Sequence, residues 1–523
     1  MANGGRPLGV SNPISTAGPT PVEERLSAAL ESTLRTRGNY EPQHEAELRE
    51  TVLGQLDRMV KQWVRDVSAA KGYTEPTLSE MNAKIFTFGS YRLYVHGSGA
   101  DIDTLLVAPM HCSREEDFFG EEGSTTSFLS RLRELEAGGE VSELQPVPDA
   151  FTPVIKMKFG GVSIDLLFAS LKMSNIPEDL DIQNNTVLRN IDEASVRSLN
   201  GCRVTDMILK LVPNLKTFRL ALRCIKVWAK KRGTYSNVMG FLGGVNLAIL
   251  IARVCQLFPN KSAAYVVSRY FRVYKEWKWP SPVLLKDIED DPALGLPVWD
   301  PRRNPRDKLH LMPLITPAYP CMNSTFNVNE SSLAHLKAEW DRGWDVCSRM
   351  LAAAEAPEAL ITESAWDELL SPLPFFSMHK HYIQVDISAA SSEHLLKWEG
   401  WCESRLRQLV LSLERMTYGY LNGHLWIEEY HPEPLHTVFF MGVIQREKPP
   451  AGTLPPGEAP SYDIRPAVED FRNRVFAYTA REEGMDLGIR YLRAKELPGY
   501  VFPGGVRPVK RKRAAQQQEA AAA

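Results

Sequence analysis

In "GADIDTLLVA", Asp101 and Asp103 stand one residue apart, and on an extended strand an i, i+2 pair turns both carboxylates to one side. Like charges so placed repel, and a divalent cation held between carboxylates and substrate phosphates relieves the repulsion. Asp165, in the alternating run "VSIDLLFA", supplies a third carboxylate if its strand neighbours the first. Ahead of the pair lies "FGSYRLYVHGSG". Gly89 allows close backbone approach to a phosphate, Ser90 offers a hydroxyl, and free N–H groups along the loop would cradle an anion. Together these suggest nucleotidyl transfer, an in-line displacement at phosphorus that needs carboxylates and phosphate contacts but no Ser-His-Asp triad. An isolated D-x-D is common by chance; its occurrence behind a Gly-Ser element, with a later strand Asp, carries the argument.

These residues need a sheet to hold them. From Ile85 the pattern is that of strands, and Gly160-Gly161 marks a hairpin turn between two alternating runs. Helices flank the sheet. Thr20, Pro21 and Glu23 form a helix-start signature followed by a Leu26, Leu30, Leu34 stripe, and a second helix is expected over 42–70. From about 180 to 258 the pattern is helical, and the proline-punctuated stretch after Trp279 forbids long helices. Beyond "SPLPFF" the order is strand (381–389), helix (391–415), two strands, a "PPAGTLPPGEAP" loop, helix (464–480) and strand, the β-α-β-β-α-β order of a ferredoxin-like domain.

The chain has 523 residues, 44% hydrophobic and 24% charged, with a net charge of −3. Such a composition suits several soluble domains and offers no membrane span, and the small net charge leaves nucleic-acid binding to local basic patches. Seven scattered cysteines without C-x-x-C pairs, and no apolar leader, imply a reducing compartment and argue against structural zinc. Over 218–232, Phe218, Leu222, Ile225 and Trp228 trace an apolar helical face, while Arg219, Arg223, Lys226 and Lys230 trace a cationic one. A solvated surface would show the same spacing. The first twenty residues and the Ala/Gln-rich end read as disordered, and "VKRKR" within 507–513 as a nuclear localisation signal.

The stretches "KIFTFGSYRLYVHGSGADID", "FTPVIKMKFGGVSIDLLFA", "SLNGCRVTDMIL", "IKVWAKKRGTYSNVMGFLGGVNLAIL" and "LPVWDPRRNP" resemble the eukaryotic nuclear poly(A) polymerases of the polymerase-beta-like nucleotidyltransferase superfamily. The resemblance runs from about Glu23 to about Ala494. It implies that Asp101, Asp103 and Asp165 are the catalytic, metal-binding aspartates. By the same resemblance Phe88, Gly89 and Ser90 touch the incoming ATP, Lys226 and Tyr235 bind its triphosphate, and Asn200 contacts the nucleotide. Gly244 and Val245 stand beside the adenine, with Val154 over its other face; close helix packing is the competing use of Gly243-Gly244. Phe151, Lys156 and Phe326 match positions that approach the RNA 3′ end, a core role being the alternative for either Phe. Tyr94 departs from the family, which usually has Gly there.

The expected architecture is multidomain α/β and α+β. It comprises a disordered tail (1–20), helices packing with the middle domain (21–57) and a mixed-sheet nucleotidyltransferase catalytic domain (58–173). A central helical domain (174–363), an RNA-binding ferredoxin-like domain (364–500) and a basic disordered tail (501–523) follow. The last-named domain lacks the basic-Gly-aromatic strand pattern by which RNA-recognition motifs stack bases, so Arg405 and Arg407 on its long helix are the expected phosphate contacts. The expected function is template-independent polynucleotide adenylyl transfer from ATP to RNA 3′ ends with two Mg²⁺ ions, Mn²⁺ being the other candidate. Expected partners are ATP, an RNA 3′ end and cleavage and polyadenylation factors, for a monomer in the nucleus. The rivals are a uridylyl- or CCA-type transferase, an oligoadenylate synthetase, and a catalytically silent RNA-binding scaffold.

Overall fold

A computed structural model describes residues 9–121, 125–356, 360–445 and 462–508. The described residues pack as two compact units, one within Met1–Trp228, Gly243–Phe326 and Trp340–Leu370, the other within Ala229–Leu242, Asn327–Glu339 and Ser371–Ala523. The expected catalytic and central domains thus fall largely together in the first. Among the described residues no helix is long and apolar enough to cross a membrane, and all seven cysteines are buried and unpaired.

The first unit begins with α1 (Pro21–Thr36) and α2 (Gln43–Ala70), followed by α3 (Thr77–Glu80). The Thr20 hydroxyl accepts from Glu23 N–H at 3.2 Å while Thr20 N–H donates to Glu23 Oε2 at 3.1 Å, the reciprocal cap that the spacing predicts. Leu26, Leu30 and Leu34 are fully buried.

The mixed sheet is built of β1 (Lys84–Thr87), β2 (Ile102–Ala108), β3 (Val141–Val147), β4 (Val154–Phe159) and β5 (Val162–Ser170), with α4 (Gly89–Arg92) and α5 (Phe128–Ala137) between strands. Its order is β1-β2-β5-β4-β3; β2 and β5 run parallel and the other pairs antiparallel. Gly160 and Gly161, at φ 53° and 83°, turn β4 into β5 as a tight hairpin requires.

On one face Val52, Leu56, Val60, Trp63 and Val64 of α2 pack on Ile102, Leu106, Ile164 and Phe168. On the other, Leu105, Val107 and Leu167 meet Leu199 and Cys202 of α6 (Glu193–Leu211). The expected boundary at residue 57 therefore cuts a single helix whose apolar stripe belongs to the sheet, and only α1 joins the helical layer.

That layer comprises α6, α7 (Leu215–Lys231), α8 (Gly244–Leu257), α9 (Ala263–Glu276) and part of α10 (Glu330–Ala354). Fully buried Trp228, Tyr270, Tyr274 and Trp340 form its aromatic centre. Residues 9–20, expected to be disordered, are tied down instead. Ile14 N–H donates to Leu257 O at 2.9 Å, Arg253 to Ser11 Oγ at 2.6 Å and Asn260 to Thr16 O at 2.7 Å. Polar residues without an apolar period can be held by such bonds to a helix end, which composition does not reveal.

The second unit carries α11 (Phe375–Met378), β6 (His381–Ser388), α12 (Ser392–Met416), β7 (Leu421–Leu425), β8 (Tyr430–Glu433), β9 (His436–Gln445), α13 (Arg465–Phe476) and β10 (Asp486–Arg493). The antiparallel order β10-β6-β9-β7 is ferredoxin-like. The expected second strand breaks into β7 and the short β8, which pairs with β9.

One face of this sheet lies under Trp398, Leu406, Leu409 and Leu413 of α12, and the opposite face is covered as well. Leu373, Phe375, Leu497, Val501 and Phe502 pack on Tyr382, Val438 and Phe440. Residues 501 and 502 are therefore core, not the start of a free tail, and among the described residues they cover the part of this face formed by Tyr382, Val438 and Phe440. The "PPAGTLPPGEAP" loop and the 510–513 basic run lie outside the described residues.

Three histidines are enclosed in this unit. His379 Nε2 lies 3.0 Å from His424 Nδ1, and the His335 and His424 rings are 4.0 Å apart. Burial lowers His379 to about 4, and burial with the other imidazoles puts His424 well below its ordinary value. Burial lowers His335 too, the Glu339 carboxylate opposing it and the Arg232 guanidinium assisting. Because the folded values lie below the unfolded 6.5, their contribution to stability is complete above pH 6.5 and is lost as pH falls towards 4. For His379 alone the loss approaches about 3 kcal/mol. Melting temperature should drop more between pH 7 and 5 than between pH 9 and 7, and His379→Asn should flatten the acid limb; an unchanged limb would refute the assignment.

Candidate active site

The parallel pairing of β2 and β5 sets Asp103 directly beside Asp165, and Asp101 precedes β2 by one residue. One carboxylate oxygen from each of the three lies within 4.8 Å of the others. Burial, then the Asp101 and Asp165 charges, push Asp103 up to about 7, against the opposing Lys226 and Lys156 ammonium groups. Three hard oxygen donors whose mutual repulsion disfavours ionisation fit a divalent cation. Lys156 stands opposite Asp165 in the β4–β5 register, its Nζ 3.1 Å from Asp165 Oδ2, so it neutralises part of the same charge.

Gly89 sits at φ 61°, and a Cβ there would lie 2.1 Å from Asp103 Oδ2. Its lack of a side chain thus lets α4 close on the carboxylate cluster, and its N–H donates to Thr205 Oγ1 at 3.3 Å. Phe88 N–H donates to Asp103 O at 3.0 Å. The Phe88 ring lies against Gly201, where a Cβ would approach it to 2.7 Å. Ser90 follows in α4, half-buried. On α6, Asn200 keeps a buried Oδ1 that has no partner among the described residues, an acceptor suited to a ligand.

At the "HGSGA" end of the glycine-rich stretch a carboxylate stands where an anion would otherwise bind. Glu45 supplies it: its carboxylate accepts from Ser98 Oγ at 2.6 Å and Gly99 N–H at 3.1 Å. Arg49 donates to Ala100 O, and Glu41 pairs with both Arg49, at 3.0 Å, and His96, at 2.7 Å. An acidic residue in that place disfavours a phosphate there by like charge.

The cationic face of α7 also divides. Arg219 donates to Leu93 O at 3.1 Å, and Arg223 to Tyr94 O at 2.8 Å and to His96 O and Asn39 O. These two clamp backbone carbonyls of the segment leading to Asp101. Tyr94 has φ 59°, a left-handed backbone that glycine adopts without cost, with its ring 4.6 Å under the Arg219 guanidinium. Lys226 donates to Val95 O at 3.2 Å and is near enough to lower Asp103. Sequence reasoning placed all these cations on one face but missed that carbonyls are what Arg219 and Arg223 meet.

Val154, two residues before Lys156 on β4, shares its face and pairs with Leu167. Gly244 and Val245 begin α8, and Val245 is 40% exposed. Asn246 fixes that end, accepting from Gly243 N–H at 2.6 Å and donating to Ser324 Oγ at 2.8 Å. Phe326, two residues on, is 60% exposed, and Phe151 is 81% exposed beneath the Arg197 guanidinium at 4.4 Å; neither belongs to a core. Tyr235 lies in the second unit, with Lys230 Nζ 5.5 Å from its ring centroid.

Three family models match the chain: the poly(A) polymerase nucleotidyltransferase domain over residues 9–212, the central domain over 217–363, and the predicted RNA binding domain over 374–434. Nuclear poly(A) polymerase 1 of Arabidopsis thaliana is 51% identical over 506 residues, covering 96% of this chain and 68% of its own. Nuclear poly(A) polymerase 4 of the same plant is 48% identical, covering 97% and 65%. The poly(A) polymerase of Dictyostelium discoideum is 44% identical, covering 95% and 60%. The chain thus spans about two thirds of the length of these relatives or slightly less.

Proposed function

The chain belongs to the poly(A) polymerase family, and from that premise we propose that it transfers AMP from ATP to the 3′-hydroxyl of RNA without a template. The observation that carries this is the convergence of Asp101, Asp103 and Asp165 beside Gly89 and Lys226. In the reaction the 3′-oxygen bonds to the α-phosphorus, the P–O bond to the β-phosphate breaks, pyrophosphate departs and the hydroxyl proton goes to solvent. Asp101, Asp103 and Asp165 would hold two divalent cations, Mg²⁺ foremost, which when bound offset charge on the attacking and leaving oxygens.

The chain's own groups orient the reactants. Gly89 and Ser90 take a phosphate edge, Lys226 and Tyr235 the triphosphate, and the unpaired Asn200 Oδ1 the nucleotide. Val154, Gly244 and Val245 frame the base. Exposed Phe151 and Phe326 offer rings to the RNA end, as an aromatic platform does for a base. Lys156, besides facing that end, holds Asp165 in place. Cleavage and polyadenylation factors would recruit a monomer, working in the nucleus.

The test is extension of a labelled oligoadenylate with each of the four NTPs separately, with Mg²⁺ and with chelator. An apolar frame discriminates bases modestly; ATP should be used best and chelator should abolish extension. Equal or greater use of UTP would move the chain to the uridylyl class.

A further inference from the structure

We propose that Arg407, beside the Asn237–Asn327 amide pair, binds a phosphodiester of the RNA primer, an assignment that rests on the adenylyltransferase reading. Arg407 is half-buried in α12, yet among the described residues its guanidinium has no hydrogen-bond or carboxylate partner, and its Nε is buried without an acceptor. Burial alone lowers its pKa, with no anionic group acting on it.

A structural arginine in the same unit looks different: Arg232 pairs with both Glu339 oxygens, at 2.7 and 2.8 Å, and with the carbonyls of Ser371 and Pro372. A half-buried cation left unpaired costs free energy unless a ligand completes it.

Its surroundings supply the rest of a nucleotide-backbone site. A Cβ at Gly240, which has φ 91°, would meet Asn327 O at 3.0 Å, Asn329 Nδ2 at 3.1 Å and Arg407 Cδ at 3.4 Å, so these groups converge there. Asn327 donates through Nδ2 to Asn237 O at 3.1 Å and Oδ1 at 3.2 Å, while its own Oδ1 is buried with no partner among the described residues. A guanidinium for the phosphate oxygens and an amide oxygen for a ribose hydroxyl match RNA.

Arg405, the other expected contact, lies flat on Trp401 at 3.0 Å and donates to its carbonyl, so it packs locally. Among the described residues Leu373, Phe375, Val501 and Phe502 cover the middle of one sheet face of this domain, and Arg407 of α12 offers the primer a cation that no protein acceptor holds.

The experiment compares full-length wild type and Arg407→Gln. It measures oligoadenylate Kd by fluorescence anisotropy across a salt series, kcat and KM for primer and ATP separately, and melting temperature. Arg407→Gln should raise primer Kd and KM about tenfold and make the salt slope shallower by about 0.7. ATP KM and kcat should change little, and melting temperature should hold or rise; Arg407→Lys should restore part of the affinity.

Equal Kd and salt slope in the two proteins would overturn the site, as would a fallen melting temperature with unchanged binding. A raised ATP KM with normal primer binding would overturn the primer assignment in favour of the triphosphate. A wild type that binds oligoadenylate but never extends it would overturn the adenylyltransferase reading instead.

Discussion

Asp103→Ala is expected to lower primer extension by on the order of a thousandfold or more, as loss of a ligand for transition-state charge does, while the fold survives. Asp103 sits in β2 beside Asp165 of β5, and its carboxylate lies within 4.8 Å of those of Asp101 and Asp165. The sign of its effect on stability is opposite to that of an ordinary buried contact. Its folded pKa, about 7, lies above the model-peptide 3.8. The protein without metal is therefore relatively most stable below pH 3.8, and this advantage is lost as pH rises through 7.

At pH 8 in chelator the wild type bears that cost, up to about 4 kcal/mol, and Asp103→Ala removes it. The variant should melt higher than wild type at pH 8, and the difference should shrink towards pH 4. Extension within tenfold of wild type would refute the site. A variant that melts well below wild type would show that Asp103 holds the strand rather than the chemistry.

What the sequence discloses of this site is what depends on strand geometry. The i, i+2 spacing of Asp101 and Asp103 and the alternation around Asp165 determine which face each carboxylate takes, and the parallel β2–β5 register then brings them together. The Gly160-Gly161 turn and the Thr20 cap are local in the same sense. The roles of Glu45, Arg219 and Arg223 are not local. A cationic stripe at helical spacing is the same string of letters whether it faces phosphate or carbonyls, and the acidic occupant of "HGSGA" comes from a helix some fifty residues earlier.

Domain edges fail for a related reason. The apolar stripe of α2 is continuous, so nothing in it says that Val52 and Leu56 already belong to the sheet. "SPLPFF" reads as a proline-broken linker, yet Phe375 is core; a linker signal in the backbone does not prevent its aromatic side chains from closing a sheet face. That closure covers the central strands β6 and β9 on the face where similar folds stack bases. The proposed primer contact therefore lies on α12, at Arg407, and not on the covered middle of the sheet.

Gly89→Ala should cost on the order of a hundredfold or more in kcat with only a small fall in melting temperature. Two separate constraints meet at this residue. Its φ of 61° is open to glycine and disfavoured by roughly 1 kcal/mol for an L side chain, a price the fold tolerates. The second constraint is steric. The new methyl would lie 2.1 Å from Asp103 Oδ2, far inside van der Waals contact. Either α4 moves away, taking Ser90 and the Gly89 N–H off their positions, or the Asp103 carboxylate rotates out of the group it forms with Asp101 and Asp165.

Both responses disrupt the same centre, because Phe88 N–H is bonded to Asp103 O and the two segments cannot shift independently. Single-turnover extension with saturating ATP and primer separates this from weakened binding, and a melting curve separates it from unfolding. Ser90→Ala, which keeps the backbone and removes only a hydroxyl, should lose far less. If Gly89→Ala extends primer within threefold of wild type, the close approach of α4 to the carboxylates plays no part in catalysis.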